Sequence, residues 1–176
     1  LDPLHVRACN AYSKLNLPET PLLLVEFHGT SDSIEDDVAR FTDICDDHSP
    51  SPFQWSHDPD ERKKLWQARH DALWAAYALI PGATGFATDV CVPISRLADC
   101  IEDTISDIET AGLTAPIIGH VGDGNFHVLP LAMPDDIDMH HKISEFSGRL
   151  TARSLKLGGT CTGEHGIGQG KSIYLR

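Results

Sequence analysis

Ile117-Ile-Gly-His120-Val-Gly-Asp123-Gly124-Asn125-Phe-His127-Val-Leu129 is the stretch on which the fold turns. Asp123-Gly124 is a strong two-residue turn signal, because both central positions of a type I′ turn need φ > 0. With those residues as the turn, Asn125 faces Gly122, Phe126 faces Val121 and His127 faces His120. Directly opposed residues of an antiparallel pair have Cβ atoms about 4.5–5.5 Å apart. Two imidazoles at that separation can share one metal ion. Ile117 and Ile118 on one side, and Val128, Leu129 and Leu131 on the other, supply the apolar flanks of a hairpin.

A second segment, Gly158-Gly-Thr-Cys-Thr-Gly-Glu164-His165-Gly-Ile-Gly168, carries the remaining chemistry. Gly158-Gly159 ends a helix, and the glycines that follow permit close backbone approach to a ligand. Glu164 completes a His/His/carboxylate set with His120 and His127, which suits zinc, manganese or iron. His165 can stay off the metal and serve as a base near neutral pH. The plainer alternative is two histidines lining a hairpin, followed by a helix cap and a linker. A linker seldom has Thr-Cys-Thr-Gly-Glu-His at its centre. The end of this segment, Gly-Gln-Gly-Lys-Ser172, imitates a phosphate-binding loop, but its required first glycine is His165.

Working outward, residues 1–19 read as an irregular or helical lead-in ended by Pro18. Residues 21–28 (Pro-Leu-Leu-Leu-Val-Glu-Phe-His) read as a buried strand. Ile34, Val38, Phe41 and Cys45 recur at helical spacing, with Ser31 or Ser33 as the cap. Pro50, Ser51 and Pro52 mark a loop, with a short strand over residues 53–55. Pro59 opens a helix reaching about Ile80, with Leu65, Trp66, Ala72, Leu73 and Ala76 as its apolar stripe and Arg69 beside it. Residues 86–92 read as a strand. Pro93 starts a helix with Ile94, Leu97, Ile101, Ile105 and Ile108 on one face. Pro134 opens the last helix, with Ile137, Ile143, Phe146 and Leu150 packed. Strands that alternate with helices, and include a tight hairpin, predict an α+β fold: a ferredoxin-like, mainly antiparallel sheet with helices packed on one face.

Fourteen Lys and Arg stand against 26 Asp and Glu, a net charge of −12. That balance disfavours nucleic acid, whose binding needs clustered basic residues, and gives no basic patch for an anionic membrane surface. The five cysteines form no C-x-x-C pair, which points to reduced thiols in a cytoplasmic type of compartment. Cys161 reads as a packing residue rather than a soft metal ligand. No apolar run approaches the roughly 20 residues of a membrane span.

The two segments, together with Leu65-Trp-Gln-Ala-Arg-His70 and Thr88-Asp-Val-Cys-Val-Pro-Ile-Ser-Arg-Leu97, resemble the C-terminal domain of FAD-linked oxidases. This is the group of D-lactate, glycolate and D-2-hydroxyglutarate dehydrogenases within the vanillyl-alcohol-oxidase superfamily, and the wording is nearest its cytochrome-linked D-lactate branch. The resemblance implies roles by position. His120, His127 and Glu164 become ligands of a divalent metal, and His165 becomes the catalytic base. Arg69 becomes the holder of the substrate carboxylate, and Asn125 a neighbour of substrate and flavin. Ala87 stands where 2-hydroxyglutarate-type relatives have a lysine, which favours a small monocarboxylate.

On this reading residues 1–176 are one domain, the substrate or cap domain of a longer enzyme. The FAD-binding domain precedes it, and a short C-terminal tail follows. The whole enzyme would oxidise a D-2-hydroxy acid to the 2-oxo acid and pass electrons to a quinone or a cytochrome. The separated piece would be inactive, with self-association into a homo-oligomer covering its apolar face. A place peripheral to the inner membrane, mitochondrial in a eukaryote, is also implied. Two other readings of the same residues stand beside it: a metal-dependent hydrolase, and a non-catalytic ferredoxin-like binding module.

Overall fold

Along the chain run α1 (Pro3–Ser13), α2 (Ser31–Asp47), α3 (Pro59–Ala78), β1 (Thr84–Gly85), β2 (Val90–Cys91), α4 (Leu97–Ala111), β3 (Ile117–His120), β4 (Asn125–Val128), β5 (Leu131–Ala132) and α5 (Ile137–Lys156). The structure is a computed structural model. It describes residues 1–48, 56 and 58–175. The loop expected at Pro50–Pro52 and the strand expected over residues 53–55 lie outside the described residues. Within the stretch anticipated as one domain, contacts resolve two compact units. One joins Leu1–Leu22 to Asp71–Arg176, and the other is Leu23–His70.

The first unit holds the sheets. β2, β4 and β3 form an antiparallel sheet in the order β2-β4-β3, and β1 pairs with β5. Side chains alternate faces along a strand. Val90, Ile117, Phe126 and Val128 are buried in one cluster with Cys100 and Ile108 of α4 and Ile143, Phe146 and Leu150 of α5. Full burial of a side chain such as Phe126 contributes about 1.5–3 kcal/mol. Across the two helices Arg149 and Arg153 both donate to Asp107, at 2.7 and 2.9 Å. His5 of α1 is also sealed in this unit, its Nε2 2.8 Å from the Ala72 carbonyl and its Nδ1 3.2 Å from that of Ile117. The α+β class and the helices alongside an antiparallel sheet are as the residue pattern predicts.

The hairpin differs in register. β3 and β4 pair Ile117 with Val128, Ile118 with His127, Gly119 with Phe126 and His120 with Asn125. The connection is a 3-10 turn over Val121–Asp123 closed by Gly124 at φ 73°. Only Gly124 of the expected turn pair has positive φ. The pairing therefore slips by two positions from the anticipated one. A slip of two keeps every side chain on its face, where a slip of one would invert them all. His120 and His127 accordingly remain on the same face, as diagonal rather than direct neighbours.

Other elements shift for local reasons. The expected strand over residues 21–28 does not form, and Leu23 and Val25 are exposed. An apolar run makes a strand only where a sheet edge receives it. Of the single strand expected over residues 86–92 only β2 forms, pairing with β4, while β1 lies just ahead of that range and pairs with β5. α1 ends at Lys14 in the left-handed region, ahead of Pro18. Thr30 caps α2, not Ser31 or Ser33. On α4 the buried residues are Leu97, Cys100, Thr104 and Ile108, while Ile94 and Ile105 are exposed. Ile94 lies in the preceding 3-10 turn, Ile94–Arg96, off the helical repeat, and Thr104 enters the core with its hydroxyl bonded to the Cys100 carbonyl. Asp136, not Pro134, caps α5, and Ile137 is exposed. On α3 the alanines at 72 and 76 are buried as expected, but Leu73 is exposed.

In the second unit, Ile34, Val38, Phe41 and Cys45 do lie along the buried side of α2. Phe27 packs edge-on against Phe41 with ring centroids 5.7 Å apart.

Candidate active site

The sheet face opposite the apolar core carries His120, Asn125 and His127. His127 is nearly buried, its side chain 10% exposed, while that of His120 is 40% exposed at the strand end. The Nδ1 of His127 lies 3.0 Å from the Thr88 carbonyl. A carbonyl can only accept, so Nδ1 donates to it, which leaves Nε2 as the ring atom that faces the site. That Nε2 is 2.8 Å from Glu164 Oε1, and the Nε2 of His120 is 3.5 Å from the same oxygen.

Glu164 and His165 arrive on the glycine-rich segment, which leaves α5 through Gly158 at φ 83°. Thr160 bridges to Cys91 of β2, fastening the start of the segment to the sheet edge. The His165 ring stacks on that of His127, with centroids 4.7 Å apart and planes 8° from parallel. Its Nε2 stands 4.0 Å from Glu164 Oε1. Its side chain is 46% exposed, so a small molecule can reach it.

Asp89 is the residue that the sequence reading missed. Its side chain is 1% exposed. Its Oδ2 accepts from the Thr162 hydroxyl at 2.6 Å and from the backbone nitrogens of Gly163, Glu164 and His165 at 2.9, 3.0 and 2.8 Å. Its Oδ1 accepts from Asn125 Nδ2 at 2.8 Å. Burial pushes this carboxyl's pKa upward, but the hydrogen bonds from Thr162, His165, Asn125 and Gly163 outweigh it and hold the group below the usual carboxylate range. Lys171 donates to the Asp89 carbonyl at 2.6 Å, and burial lowers its own pKa. A signal was available: a carboxylate inside an apolar strand stretch needs partners, and Asp89 shares its parity with Cys91, which pairs with Asn125.

The donor set fits a metal ion. With bonds of about 2.0–2.2 Å, neighbouring ligand atoms around one ion stand about 2.8–3.6 Å apart. Both contacts to Glu164 Oε1 fall in that window. The ligand atoms of His120, His127 and Glu164 all lie within 4.8 Å of one another, as do those of Asp89, His127 and His165. In the second group the Asp89 carboxylate is already occupied by five donors, so the first is the better cation site. Cys161 is buried and belongs to neither group. Asn125 is buried, and its Oδ1 has no hydrogen-bond partner among the described residues, an acceptor left over for a ligand. Arg69 lies half-buried on α3 in the second unit.

The whole chain, residues 1–176, matches the family model for FAD linked oxidases, C-terminal domain. It is 48% identical over 176 residues to a probable mitochondrial D-lactate dehydrogenase of Danio rerio, covering 100% of this chain and 35% of that protein. It is 37% identical over 175 residues to the mitochondrial D-lactate dehydrogenase [cytochrome] of Arabidopsis thaliana, covering 99% and 31%. It is 31% identical over 167 residues to the glycolate oxidase subunit GlcD of Bacillus subtilis, covering 93% and 35%. The chain thus spans about a third of the length of these curated relatives. It belongs to the C-terminal domain family of FAD-linked oxidases.

Proposed function

We propose that this chain is the substrate- and metal-binding portion of an FAD-dependent D-lactate dehydrogenase, oxidising a small D-2-hydroxy acid to its 2-oxo acid. The observation that carries the reading is the convergence of His120, His127 and Glu164 on one point, with the exposed ring of His165 stacked beside them. The whole-chain family match supports redox chemistry over the hydrolase and over a binding module without catalysis.

His120, His127 and Glu164 hold the divalent ion in this reading. When bound, the ion supplies Lewis acidity and the flavin of the preceding domain supplies a two-electron acceptor. His165 takes the proton of the substrate 2-hydroxyl through its exposed imidazole. Arg69 holds the substrate carboxylate with a charge-assisted pair of hydrogen bonds. The free Oδ1 of Asn125 faces substrate or flavin as an acceptor. Ala87, exposed two positions before Asp89, offers no second cation, which favours a monocarboxylate such as D-lactate. Relatives named as cytochrome-dependent and mitochondrial support a cytochrome as acceptor and a mitochondrial setting. Among the described residues no helix is long and apolar enough to cross a membrane.

The test is metal analysis of the full-length protein together with anaerobic reduction of its flavin by D-lactate, L-lactate and D-2-hydroxyglutarate. One divalent ion per chain and bleaching by D-lactate first is the expected result. No stoichiometric metal, or no preference for the D-monocarboxylate, overturns the reading.

A further inference from the structure

We propose that Asp89 is the positioning residue of this site: it seats residues 162–165 so that Glu164 and His165 meet the strand-borne His120 and His127. What the seated groups then do rests on the function proposed above.

Glu164 and His165 sit on a segment whose glycines at 166 and 168 adopt positive φ, so its backbone has many conformations open to it. One oxygen of Asp89 selects among them. The amides of three successive residues, Gly163, Glu164 and His165, point at Oδ2, and the Thr162 hydroxyl joins them. Such a concave run of N–H groups is a nest for an anion, and a carboxylate fills it with charge-assisted bonds. Two of the donors are the main-chain amides of Glu164 and His165 themselves, so displacing the carboxylate displaces those side chains. The other oxygen holds Asn125, which pairs across the sheet with His120. The Asp89 carbonyl meanwhile receives Lys171, so one residue fastens both ends of the segment. Gly163 completes the seat: a Cβ there would stand 1.9 Å from Asn125 Nδ2 and 3.1 Å from Asp89 Oδ1.

An Asp89→Asn change keeps the shape and removes the charge. Its amide nitrogen must also face either Asn125 Nδ2 or the loop amides, donor against donor. A Thr162→Val change removes one donor and leaves the charge. The experiment uses the full-length flavoenzyme stripped of metal. Mn²⁺ binding is measured by titration calorimetry, and hydrogen exchange of the peptides spanning residues 160–171 by mass spectrometry. Asp89→Asn is expected to weaken Mn²⁺ binding by about 10–100-fold, the usual effect of losing a group that orients ligands. It should also speed exchange across residues 162–171 while peptides from the β3–β4 hairpin keep their protection. Thr162→Val should move both readouts in the same direction by less.

If the wild type binds Mn²⁺, both readouts must move in Asp89→Asn, and either one left at the wild-type value overturns the proposal. Should Asp89→Asn fail to fold, Thr162→Val decides on the same terms. Should the wild type take up no Mn²⁺, the metal reading falls by itself. Loop exchange then decides alone: faster exchange supports Asp89 as the positioning residue, and unchanged exchange overturns it.

Discussion

The Nε2 of His127 lies 2.8 Å from Oε1 of Glu164, although one sits in the middle of a sheet and the other on a glycine-rich segment far along the chain. Neither residue could reach the other through local structure. The contact exists because Thr160 bridges to Cys91 and Asp89 gathers the amides that follow. The proposed metal centre is therefore made by two elements that meet, and its properties should follow from both.

Replacing Glu164 by Gln removes the charge that both histidines face. In the full-length enzyme Glu164→Gln is expected to lower metal occupancy strongly after dialysis, and His127→Ala to do the same. His120→Ala, at the exposed strand end, should retain more. Elemental analysis after identical dialysis checks the order. Full occupancy in all three variants would remove this cluster from consideration as the metal site.

Base and carboxylate holder should separate kinetically. His165→Ala is expected to slow flavin reduction by about 10²–10⁴-fold, the usual worth of a positioned acid–base group. D-Lactate binding should barely change. Arg69→Ala should weaken binding first, because it removes a contact present in ground and transition states alike. Rapid mixing at several D-lactate concentrations distinguishes them, and a wild-type reduction rate in His165→Ala would assign the proton to another group.

Gly124 closes the hairpin at φ 73°, and a Cβ there would stand 2.0 Å from the Val92 carbonyl oxygen. Gly124→Ala thus meets both a strained conformation and a backbone clash. A loss of at least about 1–3 kcal/mol is expected, read as a lower denaturant midpoint. Gly122→Ala, where a Cβ would meet nothing within 4 Å, is the control and should lie close to wild type.

Acid should destabilise the first unit through two carboxylates. For Asp107 burial raises the pKa, but hydrogen bonds from Arg149 and Arg153 and their charges prevail and lower it. Asp89 is shifted in the same direction by its own donors. A folded-state pKa below the unfolded value of about 3.9 means the contribution is complete above that value. It is lost as pH falls through the folded-state pKa. Thermal unfolding should therefore shift downward below about pH 4, and Asp107→Asn should flatten that part of the profile. An equally steep acid limb in Asp107→Asn would show that other groups govern it.

Much of the candidate site was legible in the residue order. His120, His127, Glu164 and His165 stood out by type and spacing, and the shared face of the two histidines follows from strand periodicity alone. The register was not legible. Asp123-Gly124 signals a turn, but the choice between a two-residue turn and a wider one goes with Gly124 packing against Val92, a neighbour just past β2 and distant in the chain. The strand expected over residues 21–28 failed for a related reason: hydrophobic character is local, but a sheet edge to receive it is not. On α4 the 3-10 turn takes Ile94 out of the helix, and the choice of Cys100 and Thr104 over Ile105 depended on which arc of the helix meets α5 and the sheet.

By itself the sequence determined the α+β class, the hairpin, the face carrying the histidines and the family. These depend on periodicity, turn chemistry and motif wording, all of which act between near neighbours in the chain. Only the tertiary structure decided the register, the meeting of Glu164 with His127, and the part taken by Asp89. Those depend on which distant backbone amides converge on one buried carboxylate, and closure of a chain over such separations leaves no local mark in the order of its residues.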